Sequence, residues 1–117
     1  MAKILITDDS SFMRTMIKSA LSSVGHVCYE ADNGATMLEA YKKIRPDIVT
    51  LDITMNVMDG LSALKKLIEM DPYAKVIMCT AIGQQPMVLD SIRFGAKDFL
   101  VKPFPPAAII NSVNKLL

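Results

Sequence analysis

The sequence predicts an α/β domain built on an open, doubly wound parallel sheet of five strands, each followed by a helix. Two observations predict it. Short runs of branched apolar residues alternate with longer stretches of helical period, and helix-stop signals fall between them. Strands alternating with helices in this way form parallel sheets covered on both faces. Five strands are too few to close a barrel, so the sheet stays open.

Ile4-Leu5-Ile6 is the first strand, apolar throughout and so expected near the centre of the sheet. Phe12, Met13, Met16, Ile17, Ala20, Leu21 and Val24 then recur at helical spacing, and Gly25 ends that helix. Val27-Cys28-Tyr29 is the second strand; Glu30 within Val27–Ala31 marks it as an edge. Met37–Ile44 gives the second helix, stopped by Pro46, and Ile48–Leu51 a second central strand. Leu61, Leu64, Leu67 and Ile68 define the third helix, closed by Asp71-Pro72. Val76–Cys79 is the fourth strand. A weaker helix over Met87–Phe94 follows, with Pro86 in its first turn and Gly95 after it. Phe99-Leu100-Val101 is the fifth strand, and Ile109, Ile110, Val113 and Leu117 mark the last helix.

A chain of 117 residues, 51% apolar, fits one domain over 1–117 with a sizeable core. Its 13 basic and 12 acidic side chains leave a net charge of +1, which gives no general reason to bind nucleic acid or an anionic membrane. No apolar run approaches the ~20 residues of a membrane span. The N-terminus reaches Asp8-Asp9 too soon for a signal peptide, so a cytoplasmic location is expected. Two cysteines make no disulfide framework. Nine methionines are most simply core filling, Met13 and Met16 included.

In a doubly wound sheet, ligands bind beyond the carboxyl ends of the strands. The first strand here ends in Asp8-Asp9, the third in Asp52, the fourth in Thr80 and the fifth in Lys102-Pro103. Three carboxylates, a hydroxyl and an ammonium would share one crevice. Like charges ~4 Å apart at an effective dielectric near 20 repel by about 4 kcal/mol, so such a cluster calls for a cation or raised pKa values. Hard oxygen donors suit Mg²⁺ or Mn²⁺; the single histidine, His26, lies at the wrong end of its strand for zinc chemistry. Each residue also has a plainer role. Asp8, Asp9 or Ser10 could cap the helix that follows, Asp52 could cap the turn before Gly60, Thr80 could be a satisfied buried hydroxyl, and Lys102-Pro103 could be an ordinary turn. Independent caps, however, give no reason for such groups to end four different strands.

The run Asp8-Asp9-Ser10-Ser11-Phe12-Met13-Arg14 is followed by Asp52-Ile53-Thr54-Met55-Asn56-Val57-Met58-Asp59-Gly60. Then come Thr80-Ala81, Gly95-Ala96-Lys97-Asp98-Phe99 and Lys102-Pro103-Phe104. Together they resemble a response-regulator receiver domain over the whole chain, nearest to the single-domain chemotaxis type. The resemblance implies a flavodoxin-like fold with strand order 2-1-3-4-5. It makes Asp52 the acceptor of a phosphoryl group from a sensor-kinase phosphohistidine. Asp8, Asp9, Asp52 and the backbone carbonyl of Thr54 become ligands of Mg²⁺ (or Mn²⁺), and Thr80 and Lys102 bind the phosphoryl oxygens. Thr80 and Phe99 are implied as the switch pair, which would change the helix 4/strand 5/helix 5 face for a partner. Lys102-Pro103 is expected to be cis, and Gly60 to hold a turn where positive φ is cheap. Asn56 departs from the proline most receivers carry there. Such a protein catalyses its own phosphoryl uptake and slow loss and is no conventional enzyme.

The expected partners are a sensor histidine kinase and a flagellar switch protein, with no nucleic acid or membrane contact, and the chain is expected to be a monomer. A chain ending just after the fifth helix fits a stand-alone regulator; the alternative is a receiver cut from a multidomain transcriptional regulator. A scaffold that never takes phosphate is a further alternative, though such proteins usually lose a site residue and none is lost here. An FMN carrier would need a first loop that cradles phosphate, which Asp8-Asp9 would repel. An aspartyl-phosphate hydrolase would want an acid where Thr54 stands. In the implied strand order Cys28 and Cys79 lie three strands apart, about 14 Å, so no disulfide joins them.

Overall fold

The computed structural model describes residues 1–55, 58–82 and 84–117. Five strands, β1 (Lys3–Thr7), β2 (Val27–Ala31), β3 (Ile48–Asp52), β4 (Val76–Thr80) and β5 (Asp98–Val101), alternate with five helices. These are α1 (Ser11–Ser22), α2 (Gly34–Ile44), α3 (Gly60–Met70), α4 (Gln85–Arg93) and α5 (Pro106–Leu116). The strands form one sheet in the order β2-β1-β3-β4-β5, every pairing parallel. Each strand found contains the run expected for it, so the doubly wound reading holds.

Side chains alternate across a strand, and that alternation splits the core in two. Leu5, Val49, Leu51, Val76 and Met78 pack on one face against Met37, Leu64, Leu67 and Val88 from α2, α3 and α4. Ile4, Ile6, Ile48, Ile77 and Cys79 pack on the other against Ile17, Leu21, Ile109 and Val113 from α1 and α5. Burying each large aliphatic side chain stabilises by roughly 1.5–3 kcal/mol, so both layers are needed to hold the sheet. β1, β3 and β4 are central and almost wholly buried, whereas β2 and β5 form the edges.

The first helix is shorter than its apolar pattern suggests. Phe12 and Val24 are exposed, the one in the opening turn of α1 and the other beyond its end. The helix ends at Ser22, and Gly25, at φ +93°, turns the chain toward β2, leaving Val24 in the exposed turn between them. Met13 and Met16 do pack against the α1/α5 layer. Cys28 and Cys79 are free. No helix among the described residues is long and apolar enough to cross a membrane.

Candidate functional site

Parallel strands bring their carboxyl ends to a single rim, and the residues singled out there fall into place around Asp52. Asp8 directly follows β1 and is 1% exposed. Its N–H donates to Ala31 O at 3.1 Å, and its Oδ1 accepts from the Ser10 N–H at 2.9 Å. Asp52 is the last residue of β3, 5% exposed, and its Oδ1 accepts from the Thr54 N–H at 3.3 Å. Asp9 is exposed at the mouth. Carboxylate oxygens of Asp8, Asp9 and Asp52 lie within 4.8 Å of one another.

Lys102 answers this charge. It follows β5, where its N–H donates to Thr80 O at 2.7 Å, and its peptide bond to Pro103 is cis as expected. The ammonium lies 2.9 Å from Asp8 Oδ2 and 3.3 Å from Asp52 Oδ1, bridging two buried acids. Burial by itself would favour the neutral amine, but the two carboxylates hold Lys102 protonated, above its ordinary pKa. The Asp52 carboxyl is pushed up to about 6, chiefly by burial and then by the charge of Asp8, with Lys102 and the Thr54 N–H pulling it back. One lysine cannot neutralise three acids. Three clustered oxygen donors with no histidine or thiolate among them suit a hard divalent cation.

Neither Asp8 nor Asp9 is the N-cap of α1, and Asp52, although it accepts from the Thr54 N–H in the turn that follows, is not the cap of α3. Ser10 caps α1, its hydroxyl accepting from the Met13 N–H at 3.2 Å, and Asp59 caps α3 through the Ser62 N–H at 2.8 Å. Thr80, fully buried, donates its hydroxyl to Ala81 O at 3.2 Å. Thr54 lies in the exposed turn after β3. Phe99, in β5, is 42% exposed and so is no plain core residue. It pairs with Met78, which shares a face with Thr80 two residues on. Asn56 lies outside the described residues.

The expectation for Gly60 needs correction. It does not adopt positive φ, as Gly25 and Gly95 do. Gly60 opens α3 with its N–H on Ile53 O at 2.7 Å, and a Cβ there would lie 2.6 Å from Ile53 Cα and closer still to the Asp52 carbonyl oxygen. The requirement is space beside the acceptor's own backbone.

Two contributors went unassigned from sequence. Arg14 Nη1 donates to Asp8 O at 2.7 Å while its Nε holds Glu30 at 3.0 Å, fixing the end of β1 against β2. Its place one helical turn after Ser10 was the available signal. Gln84 ties the turn after β3 to the loop after β4, and no local pattern announces it.

A family model described as response regulator receiver domain matches residues 4–114. The chain is 53% identical over 116 residues to the chemotaxis protein CheY of Bacillus subtilis, covering 98% of this chain and 97% of that protein. It is 49% identical over 115 residues to the CheY of Thermotoga maritima, covering 97% and 96%. The crystal structure of the receiver domain of NtrX from Brucella abortus superposes with a TM-score of 0.94 at 31% identity, over 97% of both chains.

Proposed function

Because the chain belongs to the response regulator receiver domain family, we propose that it is a phosphorylation-activated switch whose acceptor is the Asp52 carboxylate. The observation that carries this reading is the buried Asp52 facing Asp8, Asp9 and the bridging Lys102 ammonium at one rim. An Asp52 oxygen attacks the phosphorus of a phosphohistidine. The new O–P bond forms as the P–N bond breaks, and the imidazole leaves with the bond's electron pair and takes a proton. Such transfer asks mainly for positioning and charge neutralisation. Asp8, Asp9, Asp52 and the Thr54 backbone carbonyl are the groups that would hold Mg²⁺, which supplies counter-charge to the incoming phosphoryl oxygens. Lys102 stabilises the same negative charge from the β5 side, and Thr80 offers a hydroxyl donor. Thr54, two residues past the acceptor, is no general acid or base, so the acyl phosphate is lost slowly.

The output follows from the same rim. Thr80 and Phe99 line one face of β4 and β5, so a movement of Thr80 toward the phosphoryl group frees space that Phe99 can fill, changing the α4/β5/α5 surface for a partner. The likeness to chemotaxis proteins supports a sensor histidine kinase as donor and a flagellar switch protein as that partner. Mass spectrometry after incubation with acetyl phosphate and Mg²⁺ tests the core of this reading. One phosphoryl group is expected on the wild type and none on Asp52→Ala or in excess chelator. A phosphorylated Asp52→Ala, or labelling unchanged by chelator, would sink it.

A further inference from the structure

Gln84 stands at the N-cap of α4, yet its side chain makes no capping bond to that helix. It works backwards instead. Its Oε1 accepts from the Ala81 N–H at 3.1 Å, its own N–H donates to Ala81 O at 3.2 Å, and its Nε2 donates to the Thr54 hydroxyl. Ala81 is therefore held at both of its backbone polar atoms, and the loop after β4 is strapped to the turn after β3. Each end of the strap lies beside a proposed site group. Thr54 is two residues past Asp52 and donates its N–H to Asp52 Oδ1. Ala81 follows Thr80, whose hydroxyl proton lies on the Ala81 carbonyl that Gln84 also holds.

We propose that Gln84 is a positioning residue that latches the resting arrangement of Thr80, so that the site takes up a phosphoryl group only by releasing the strap. The proposal rests on Asp52 being the acceptor. Thr80 has one proton to donate. To place it on a phosphoryl oxygen, the hydroxyl must leave Ala81 O and the Thr80–Ala81 segment must shift, which pulls Ala81 away from the carboxamide. Bonds made only in the resting state lower the affinity for any ligand that favours the other state. Thr54 and Ala81 are exposed, so water competes for these bonds and their net effect is modest.

Beryllofluoride with Mg²⁺ stands in for the phosphoryl group, and its binding is followed by fluorine NMR in wild type, Gln84→Met, Thr54→Val and the double variant. Methionine keeps the length of the side chain and removes both carboxamide bonds. Gln84→Met should bind beryllofluoride about twofold more tightly, the low end of what a hydrogen bond brings, because water competes for these exposed bonds. Thr54→Val should show a smaller gain in the same direction, and the double variant should match Gln84→Met because the two changes break one strap. Without ligand, the Ala81 amide should exchange with solvent faster in Gln84→Met than in wild type. Equal or weaker binding by Gln84→Met, or fully additive gains in the double variant, overturns the latch while leaving Asp52 as acceptor. A wild type that binds no beryllofluoride, or an Asp52→Asn protein that binds it equally well, overturns the acceptor reading and the latch with it.

Discussion

The two sides of the sheet are held differently. On the β2–β1–β3 side, α1, α2 and α3 each start on a side-chain cap, from Ser10, Asn33 and Asp59. On the β4–β5 side, α4 and α5 start at Gln84 and Pro105 with no side-chain cap. The three carboxylates belong to the capped side, and Thr80 and Lys102 to the other. A site meant to hold a cation gains from fixed acids, whereas a site meant to report a new charge gains from donors on elements that can shift. The difference suits the proposed switch, and it can be broken or sharpened residue by residue.

The largest expected effect is at Gly60. A methyl there meets backbone atoms of Asp52 and Ile53, which cannot swing aside. Gly60→Ala should cost about 3 kcal/mol or more in urea denaturation, at the severe end of overpacking. On the other side, Gly95 has φ +113° and the atoms nearest to a Cβ there belong to the flexible Ile68 side chain, at 3.2 Å. Gly95→Ala should cost about 1–2 kcal/mol, mostly backbone strain. Equal losses at the two glycines would count against a rigid acceptor side.

Carboxylates on the two sides should give opposite pH dependence. Asp52 titrates near 6 in the fold, above its ordinary 3.8, chiefly through burial. Its contribution to stability is complete below the unfolded value and is lost as pH rises through 6. Without divalent cation, Asp52→Asn should therefore stabilise by about 1–2 kcal/mol above pH 7, with the gain fading toward pH 4. Asp98, in β5, runs the other way. Burial raises its carboxyl, but Ser112, the Phe99 N–H and Lys115 outweigh that and hold it below the ordinary range. Its stability is present above the unfolded pKa and is lost as pH falls through the folded one, so Asp98→Asn should destabilise at neutral pH and match wild type in acid. Thermal melts of both variants at pH 2.5, 4.5 and 7.5, with no divalent cation added, read the sign, the lowest pH being needed to protonate Asp98. The same sign in both would remove the contrast.

What the sequence made legible follows the same division. Ile4–Ile6 and Ile48–Leu51 announced central strands because a strand buried on both faces must be apolar throughout. Asp8, Asp9, Asp52 and Lys102 were readable because a parallel sheet sends every strand end to one rim. Gly60 was noticed for the wrong reason, since a glycine in sequence does not say whether it serves φ or space. Phe12 looked like core because periodicity counts apolar residues without knowing where the helix begins. Gln84 stayed invisible because its partners, Thr54 and Ala81, meet only once β3 and β4 are side by side.

The smallest effect is the sharpest test of unequal anchoring. Asn33 Oδ1 accepts from the Thr36 N–H at 2.9 Å, satisfying a donor that the first turn of α2 would otherwise leave to water. Asn33→Ala should cost about 1 kcal/mol, as loss of a good cap does. Gln84→Met removes a side chain that gives α4 no such bond, so the helix start is left as it was. The exposed strap it does remove contributes little to global stability, and the loss should stay below about 0.5 kcal/mol. Urea midpoints of the two variants decide the matter. If Gln84→Met falls as far as Asn33→Ala, the strap anchors the β4–β5 side as firmly as a cap anchors the other, and the donors there are no freer to move than the acids.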